Sequence, residues 1–206
     1  SRPNYNSDGS VWKNYRGVWR MDGQSNTLIQ DFASSFHGVP KNMETIRVPG
    51  VIDQALSFDG VDDFVAFASS AFFDEGTQET SVSFWSKNRG SSGPLLHAAS
   101  SLGSHLQISM PGEDARIHWM TGTGFLQDHF IEIADAEDIT DWSHWTRQVD
   151  LNREVSQVFQ NGEAFEEKPG RNFAFGGKVS SFTAGGDENR NYWKGYLDEL
   201  RISSRS

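Results

Sequence analysis

The chain reads as an all-β protein, a two-sheet sandwich or jelly roll. Three observations point there. Aromatic residues make up 13% of the 206 residues, with 15 Phe and 7 Trp, alongside 20 Gly. Aromatic and β-branched side chains fit pleated surfaces, and glycine fits turns and bulges. Apolar residues alternate over about a dozen short runs separated by turn signals, the spacing of a sandwich. A helical period is weak throughout.

The runs follow in order. Residues 1–10 (SRPNYNSDGS) are polar and turn-rich, a linker end or frayed arm, and the folded domain is expected over 11–206. Val18 to Met21 is a strand, and Asp22 to Asn42 a loop with scattered aromatics. Ala55 to Phe58 and Asp63 to Phe67 flank Asp59-Gly60, a hairpin-like signal. In Thr80 to Lys87, Val82 and Phe84 alternate with serines. Further strands are expected at 95–98, 106–109, 116–119, 130–133, 144–149 and 155–159. The last of these meets Asn161-Gly162, a favoured type I′ turn pair. Residues 179–183 and 195–202 complete the set. Only Ala134 to Trp142 holds room for a turn or two of helix. No internal repeat is visible.

Charge and composition remove several functions. With 18 Lys+Arg against 28 Asp+Glu the formal charge is −10. That argues against nucleic acid, whose phosphates need a basic face, and against an anionic membrane. It suits cations and neutral ligands. There is no Cys, hence no disulfide scaffold, thiolate metal site or Cys nucleophile. No apolar run approaches the roughly 20 residues of a membrane span. The start at Ser1-Arg2-Pro3, without Met or a signal pattern, is expected of a piece of something longer.

Several segments then line up. Gly17-Val18-Trp19-Arg20-Met21 precedes Asp31 to Gly38. The block Phe58-Asp59-Gly60-Val61-Asp62-Asp63-Phe64-Val65 follows, then Val82 to Lys87, Trp142-Ser143-His144-Trp145 and Val158 to Glu163. Gly195-Tyr196-Leu197-Asp198-Glu199-Leu200-Arg201-Ile202 closes the series. Over residues 15–206 this resembles the laminin-G-like, concanavalin A-like lectin/glucanase superfamily in its bacterial jelly-roll form. The resemblance implies two face-to-face antiparallel sheets, often a bound Ca²⁺, and frequently a carbohydrate ligand. Asn161 departs from the Asp usual before the hairpin Gly, and the loop 31–38 lacks the usual Gly after Ser. The same sandwich carries lectins, hydrolases, lyases and adhesion modules, so fold alone does not fix function.

Calcium is expected around Asp198. Strand parity over 196–202 puts Asp198 with Leu200 and Ile202, and an unpaired carboxylate on that apolar face must neutralise or find a partner. A hard cation with oxygen ligands is one solution. The resemblance places Asp22, Asp31 and Asp59 near the start of this strand, with the Gly60 carbonyl completing the shell. The alternative is that Asp198 caps a bulge or pairs with an Arg. No EF-hand spacing is present, so the ligands would come from distant segments.

Catalytic signatures are missing from the sequence, and the expected catalytic set is empty. Retaining glucanases of this fold carry Glu-x-Asp-x-x-Glu, with glutamates about 5–5.5 Å apart. The nearest match, Glu132, Asp135 and Glu137, has the wrong spacing and puts Glu132 on the opposite strand face. Tyr192-Trp193-Lys194-Gly195-Tyr196 echoes the late strand of alginate-lyase-type jelly rolls, without their early Arg strand. The six His form no metal pattern. Gly176-Gly177-Lys178 is no P-loop, and no Gly-x-Ser-x-Gly elbow exists.

Sugar sites pair an exposed aromatic with polar groups for the hydroxyls. Two loops have that mixture. One holds Trp119, Thr121, Thr123, Asp128 and His129; the other holds Asp187, Asn189, Arg190, Tyr192 and Trp193. Both tryptophans fit equally well in a core. The expectation is a non-catalytic, Ca²⁺-stabilised module that binds oligo- or polysaccharide, in a larger secreted, surface or periplasmic bacterial protein. A protein-contact module without a sugar site and a polysaccharide-degrading enzyme are the alternatives.

Overall fold

The computed structural model describes residues 10–205 except 24, 45, 73–76, 78, 91–92, 101–103, 114–115, 124–127, 133–137, 166–167, 170–177 and 188–190. The expected arm at 1–10 lies almost wholly outside that range. The strands are β1 (Tyr15–Trp19), β2 (Gly38–Lys41), β3 (Arg47–Pro49), β4 (Gln54–Asp59), β5 (Phe64–Phe67), β6 (Glu79–Asn88), β7 (Pro94–Ser100), β8 (Ser104–Ser109), β9 (Arg116–Thr123), β10 (Asp128–Glu132), β11 (Ser143–Asp150), β12 (Val155–Gln160), β13 (Glu163–Ala164), β14 (Lys168–Pro169), β15 (Val179–Ala184) and β16 (Lys194–Arg205). All pairs are antiparallel. One sheet runs β13-β12-β11-β6-β16-β4-β3, with β1 also on β16 and β14 also on β12; the other runs β10-β9-β8-β7-β15-β5-β2. We call them sheets A and B. Among the described residues, helix is limited to 3₁₀ turns at Ser10–Trp12 and Ser69–Ala71. No helix there is long and apolar enough to cross a membrane.

The core lies between the sheets and is aromatic. Trp19, Phe58, Phe84, Trp119, Trp145, Phe182 and Trp193 are all fully buried. Phe84 of sheet A stacks on Trp119 of sheet B at 5.8 Å, and Trp119 continues to Trp145 at 6.3 Å. Arg147 is buried with them, donating from Nε to Ser156 Oγ (3.1 Å) and from Nη1 to the Trp119 carbonyl (3.2 Å). These bonds satisfy a polar group that would otherwise be costly to bury.

Four local expectations change. The Asp59-Gly60 block is not a hairpin: β4 lies in sheet A and β5 in sheet B. Gly60 takes φ +79°, and Asp59 Oδ1 accepts the Val61 amide at 2.7 Å, so the turn carries the chain across the sandwich. The loop 22–42 contains β2, and it is fastened by bridges Trp19↔Asp31 and Ile29↔Gly38. Parity breaks in β16, where the register against β6 shifts between Asp198 and Arg201 and Glu199 takes φ +50°. Leu197 and Leu200 are therefore both core residues, as a bulge requires. The expected helical turn at 134–142 reduces, in its described part, to an Asp138–Asp141 turn, with Asp138 Oδ1 accepting the Thr140 amide at 2.8 Å. Asn161 and Gly162 both have positive φ (+51° and +88°) and join β12 to β13, the type I′ geometry expected of that pair.

Candidate functional site

The expected metal ligands separate into four places. Asp31 is 3% exposed, and its carboxylate accepts the amides of Val18 (2.9 Å), Ala33 (2.9 Å) and Phe36 (3.1 Å) and the Ser34 hydroxyl (2.6 Å). That acceptor is occupied by protein and fastens the 31–36 loop to β1. Asp22 pairs with Arg20 at 3.1 Å, in a chain of charges that continues to Glu199 (3.6 Å from Arg20) and Arg201 (2.6 Å from Glu199). Asp198 is fully buried. Its Oδ2 accepts the amides of Val51 and Ile52, each at 3.0 Å, while its Oδ1 has no hydrogen-bond partner. Burial pushes its carboxyl up to about 6, with the nearby Glu199 charge adding and the turn amides opposing. Asp198 thus caps the Gly50–Gln54 turn. The bulge takes it off the face of Leu200 and Ile202, which removes the parity argument for a cation there.

Asp59 belongs to a different cluster, on the turn that holds Gly60. Oxygens of Asp59, Asp62 and Asp63 lie within 4.8 Å of one another, and this is the one such acidic group among the described residues. Asp63 is buried and accepts the Asp59 amide at 3.0 Å. Burial, then the charges of Asp59, Asp62 and Glu44, push its carboxyl up to about 6. Three mutually repelling hard oxygen donors on a tight turn suit a Ca²⁺ ion chemically. Asp22, Asp31 and Asp198 have no place in that shell.

The expected sugar residues divide likewise. Trp119 and Trp193 are core residues, fully buried, so neither offers a ring to a ligand. The Trp193 indole donates to the Met110 carbonyl at 3.1 Å. Asp187 closes its own loop, accepting the Asn191 amide (3.1 Å) and side chain (3.0 Å). Tyr192 is half-buried, its ring 6.5 Å from that of Phe64. Asp128 and His129 lie in β10 opposite Met120 and Trp119; their side chains lie outside the described residues, as do Asn189 and Arg190, and Glu132 is in the same position.

A different aromatic surface lies on the outer face of sheet A. In β6, Val82, Phe84, Ser86 and Asn88 are buried, so Ser83, Trp85 and Lys87 face outward. Trp85 stands opposite His144 of β11 and opposite Asp198 of β16. The Trp85 and His144 rings are 5.1 Å apart, and burial plus the Arg201 charge pull the His144 imidazole below its ordinary pKa. One row further along the sheet, Lys87 stands opposite Tyr196 and pairs with Asp141 at 3.0 Å. The Tyr196 ring meets Trp142 at 6.2 Å. Arg89 also meets Tyr196, its guanidinium 5.2 Å from the ring centroid. At the far end of the same face a polar groove of about 450 Å³ is lined by Glu79, Ser81, Gln148, Asp150, Arg153 and Gln157, among others. This arrangement offers half-exposed rings beside hydrogen-bonding groups of both signs. The signal for it was already present in strand parity: once Val82 and Phe84 are assigned to the core, Trp85 and Lys87 must face outward.

Comparison with known proteins agrees with this architecture. No curated protein matches the chain by sequence. Domain 4 of AbnA, a GH43 extracellular arabinanase from Geobacillus stearothermophilus, solved with arabinotriose, superposes with a TM-score of 0.73 at 18% identity over 94% of both chains. Trypanosoma rangeli sialidase in complex with sialic acid gives a TM-score of 0.63 at 15% identity; 91% of this chain is covered, but only 30% of the sialidase. The binding domain of botulinum neurotoxin serotype G gives 0.67 at 13% identity, over 94% of this chain and 48% of that one. At these identities the likeness is one of fold. Residues 59–206 match the family described as concanavalin A-like lectin/glucanases superfamily, and the chain belongs to it.

Proposed function

We propose that this domain is a non-catalytic carbohydrate-binding module of a larger secreted or surface protein, and that it binds oligo- or polysaccharide on the outer face of sheet A. The observation that carries the reading is the pair of half-exposed aromatic contacts, Trp85–His144 and Trp142–Tyr196, one strand row apart and flanked by Lys87, Asp141 and Arg89. Aromatic rings take the apolar C–H faces of a sugar, and the neighbouring charged groups meet its hydroxyls. The arabinotriose bound to domain 4 of AbnA supports the ligand class. A Ca²⁺ ion held by Asp59, Asp62 and Asp63 would tie the β4–β5 crossing and supply stability rather than chemistry.

Binding to a glycan array, followed by titration of the best ligand, tests the reading. Trp85→Ala and Trp142→Ala should each weaken binding about tenfold or more, at unchanged far-UV circular dichroism. Wild-type affinity in both variants would exclude this face. A partner protein captured without any glycan bound would favour the protein-contact reading, and release of sugar products would favour an enzyme.

A further inference from the structure

Arg89 is an exposed cation that the fold holds still without neutralising. Its backbone amide donates to the Lys194 carbonyl at 3.0 Å. Its Nη1 donates to Tyr196 Oη at 2.5 Å, and the guanidinium carbon lies 5.2 Å from the Tyr196 ring centroid. No carboxylate pairs with it among the described residues. That is unexpected in a chain with 28 acidic and 18 basic residues. Its neighbour Lys87, by contrast, is paired with Asp141. Arg89, Lys87, Asn88, Gly90 and Thr140 line an open depression of about 430 Å³. The Tyr196 ring borders it through Arg89 and also meets Trp142.

A guanidinium has five donors in a rigid planar fork, which matches the two coplanar oxygens of a carboxylate. In Arg89 the Tyr196 hydroxyl takes part of one nitrogen's capacity, leaving Nε and Nη2. The bond to Tyr196 and the ring contact hold the guanidinium in place in advance, so less side-chain freedom is lost when an anion arrives. We propose that the sugar seated at Trp142–Tyr196 is a carboxylated one, a uronic-acid residue whose carboxylate pairs with Arg89. The assignment rests on the glycan-binding reading above and names its substrate class. The net charge of −10 works against a polyanion at long range. Beyond about 10 Å that repulsion is screened at ordinary ionic strength. Selection therefore depends on this contact and not on the overall field, and for this one seat it reverses the preference for neutral ligands that the total charge suggests.

The test uses oligogalacturonate, its fully methyl-esterified counterpart of equal length, oligomannuronate, oligoglucuronate, a neutral arabino-oligosaccharide and a sulfated oligosaccharide, each titrated calorimetrically into the domain. At least one uronate should bind about tenfold or more tighter than its neutral or esterified form. Arg89→Gln should weaken the uronate about tenfold or more and its neutral or esterified form far less, so that the preference is lost, and Arg89→Lys should restore part of it. Melting curves of both variants should match the wild type, since the side chain is exposed. Equal binding of acid and ester, or tighter binding of the sulfated or neutral sugar, overturns the uronate assignment and leaves the glycan-binding reading standing. Failure to bind any of the sugars here and on the array overturns both.

Discussion

The carboxylate of Asp198 and the amide of Val51 meet at 3.0 Å although 147 residues separate them. Ile52 joins them at the same oxygen. The edge of β16 opposite β6 changes partner here: β4 pairs with Lys194–Leu197 and β1 with Leu200–Ser203. Asp198 and Glu199 sit at the changeover, in the bulge. The closing Gly-x-x-Asp-Glu-x-Arg-Ile block is thus a structural joint. Asp198 receives the turn that enters β4, and Glu199 pairs with Arg201 and Arg20.

Replacing Asp198 by Ala should destabilise the fold by about 1–3 kcal/mol, because the Val51 and Ile52 amides lose their acceptor. A lowered urea midpoint at unchanged slope checks this. A midpoint equal to wild type would mean the turn finds water or another acceptor.

Stability should depend on pH through Asp198 and Asp63. Both carboxyls are raised to about 6 from an unfolded value near 3.8. Between those values the folded chain holds protons that the unfolded chain has released. The stabilising contribution is therefore complete below about pH 4 and lost as pH rises through about 6. For fully buried Asp198 the loss is on the order of 3 kcal/mol. Asp198→Asn should flatten that group's share of the slope in denaturant titrations run from pH 4 to 7. An unchanged slope would show that Asp198 titrates normally.

Calcium should raise the melting temperature, and Asp63→Asn or Asp62→Asn should abolish the effect. Binding to the folded state alone stabilises by about 2.7 kcal/mol at a hundredfold excess over Kd. For a domain of this size that is roughly 5–10 °C. Asp31→Asn and Asp198→Asn should keep the calcium response, whatever their basal stability. Identical melting curves with Ca²⁺ and with chelator, for protein first shown to be metal-free, would rule out the Asp59–Asp62–Asp63 site.

Asp31→Ala should cost about 3 kcal/mol or more, since a buried acceptor of three amides and a hydroxyl is removed at once. The loss should appear at both neutral pH and high calcium. A calcium-dependent loss would return Asp31 to the metal ligands.

Trp193→Phe removes the indole bond to Met110 inside the core and should lower stability without changing glycan affinity, the reverse of Trp142→Ala. Measuring both properties on both variants separates core from surface aromatics.

The sequence by itself determined the all-β class, most strand positions, the type I′ turn at Asn161-Gly162 and the family. These depend on local alternation and on turn residues whose φ preferences act within a few positions. Tertiary structure decided the rest. Two short apolar runs around Asp-Gly look the same whether they pair with each other or cross between sheets, and only the partners β16 and β15 made β4–β5 a crossing. One inserted residue at Glu199 moved Asp198 to the outer face, because strand parity has period two and a bulge resets it. Tryptophan carries no mark of its destination. Trp119 and Trp193 are buried in the core between the sheets, and Trp85 and Trp142 remain half-exposed on the outer side of sheet A, where the Gly50–Gln54 turn covers Asp198 but not these rings.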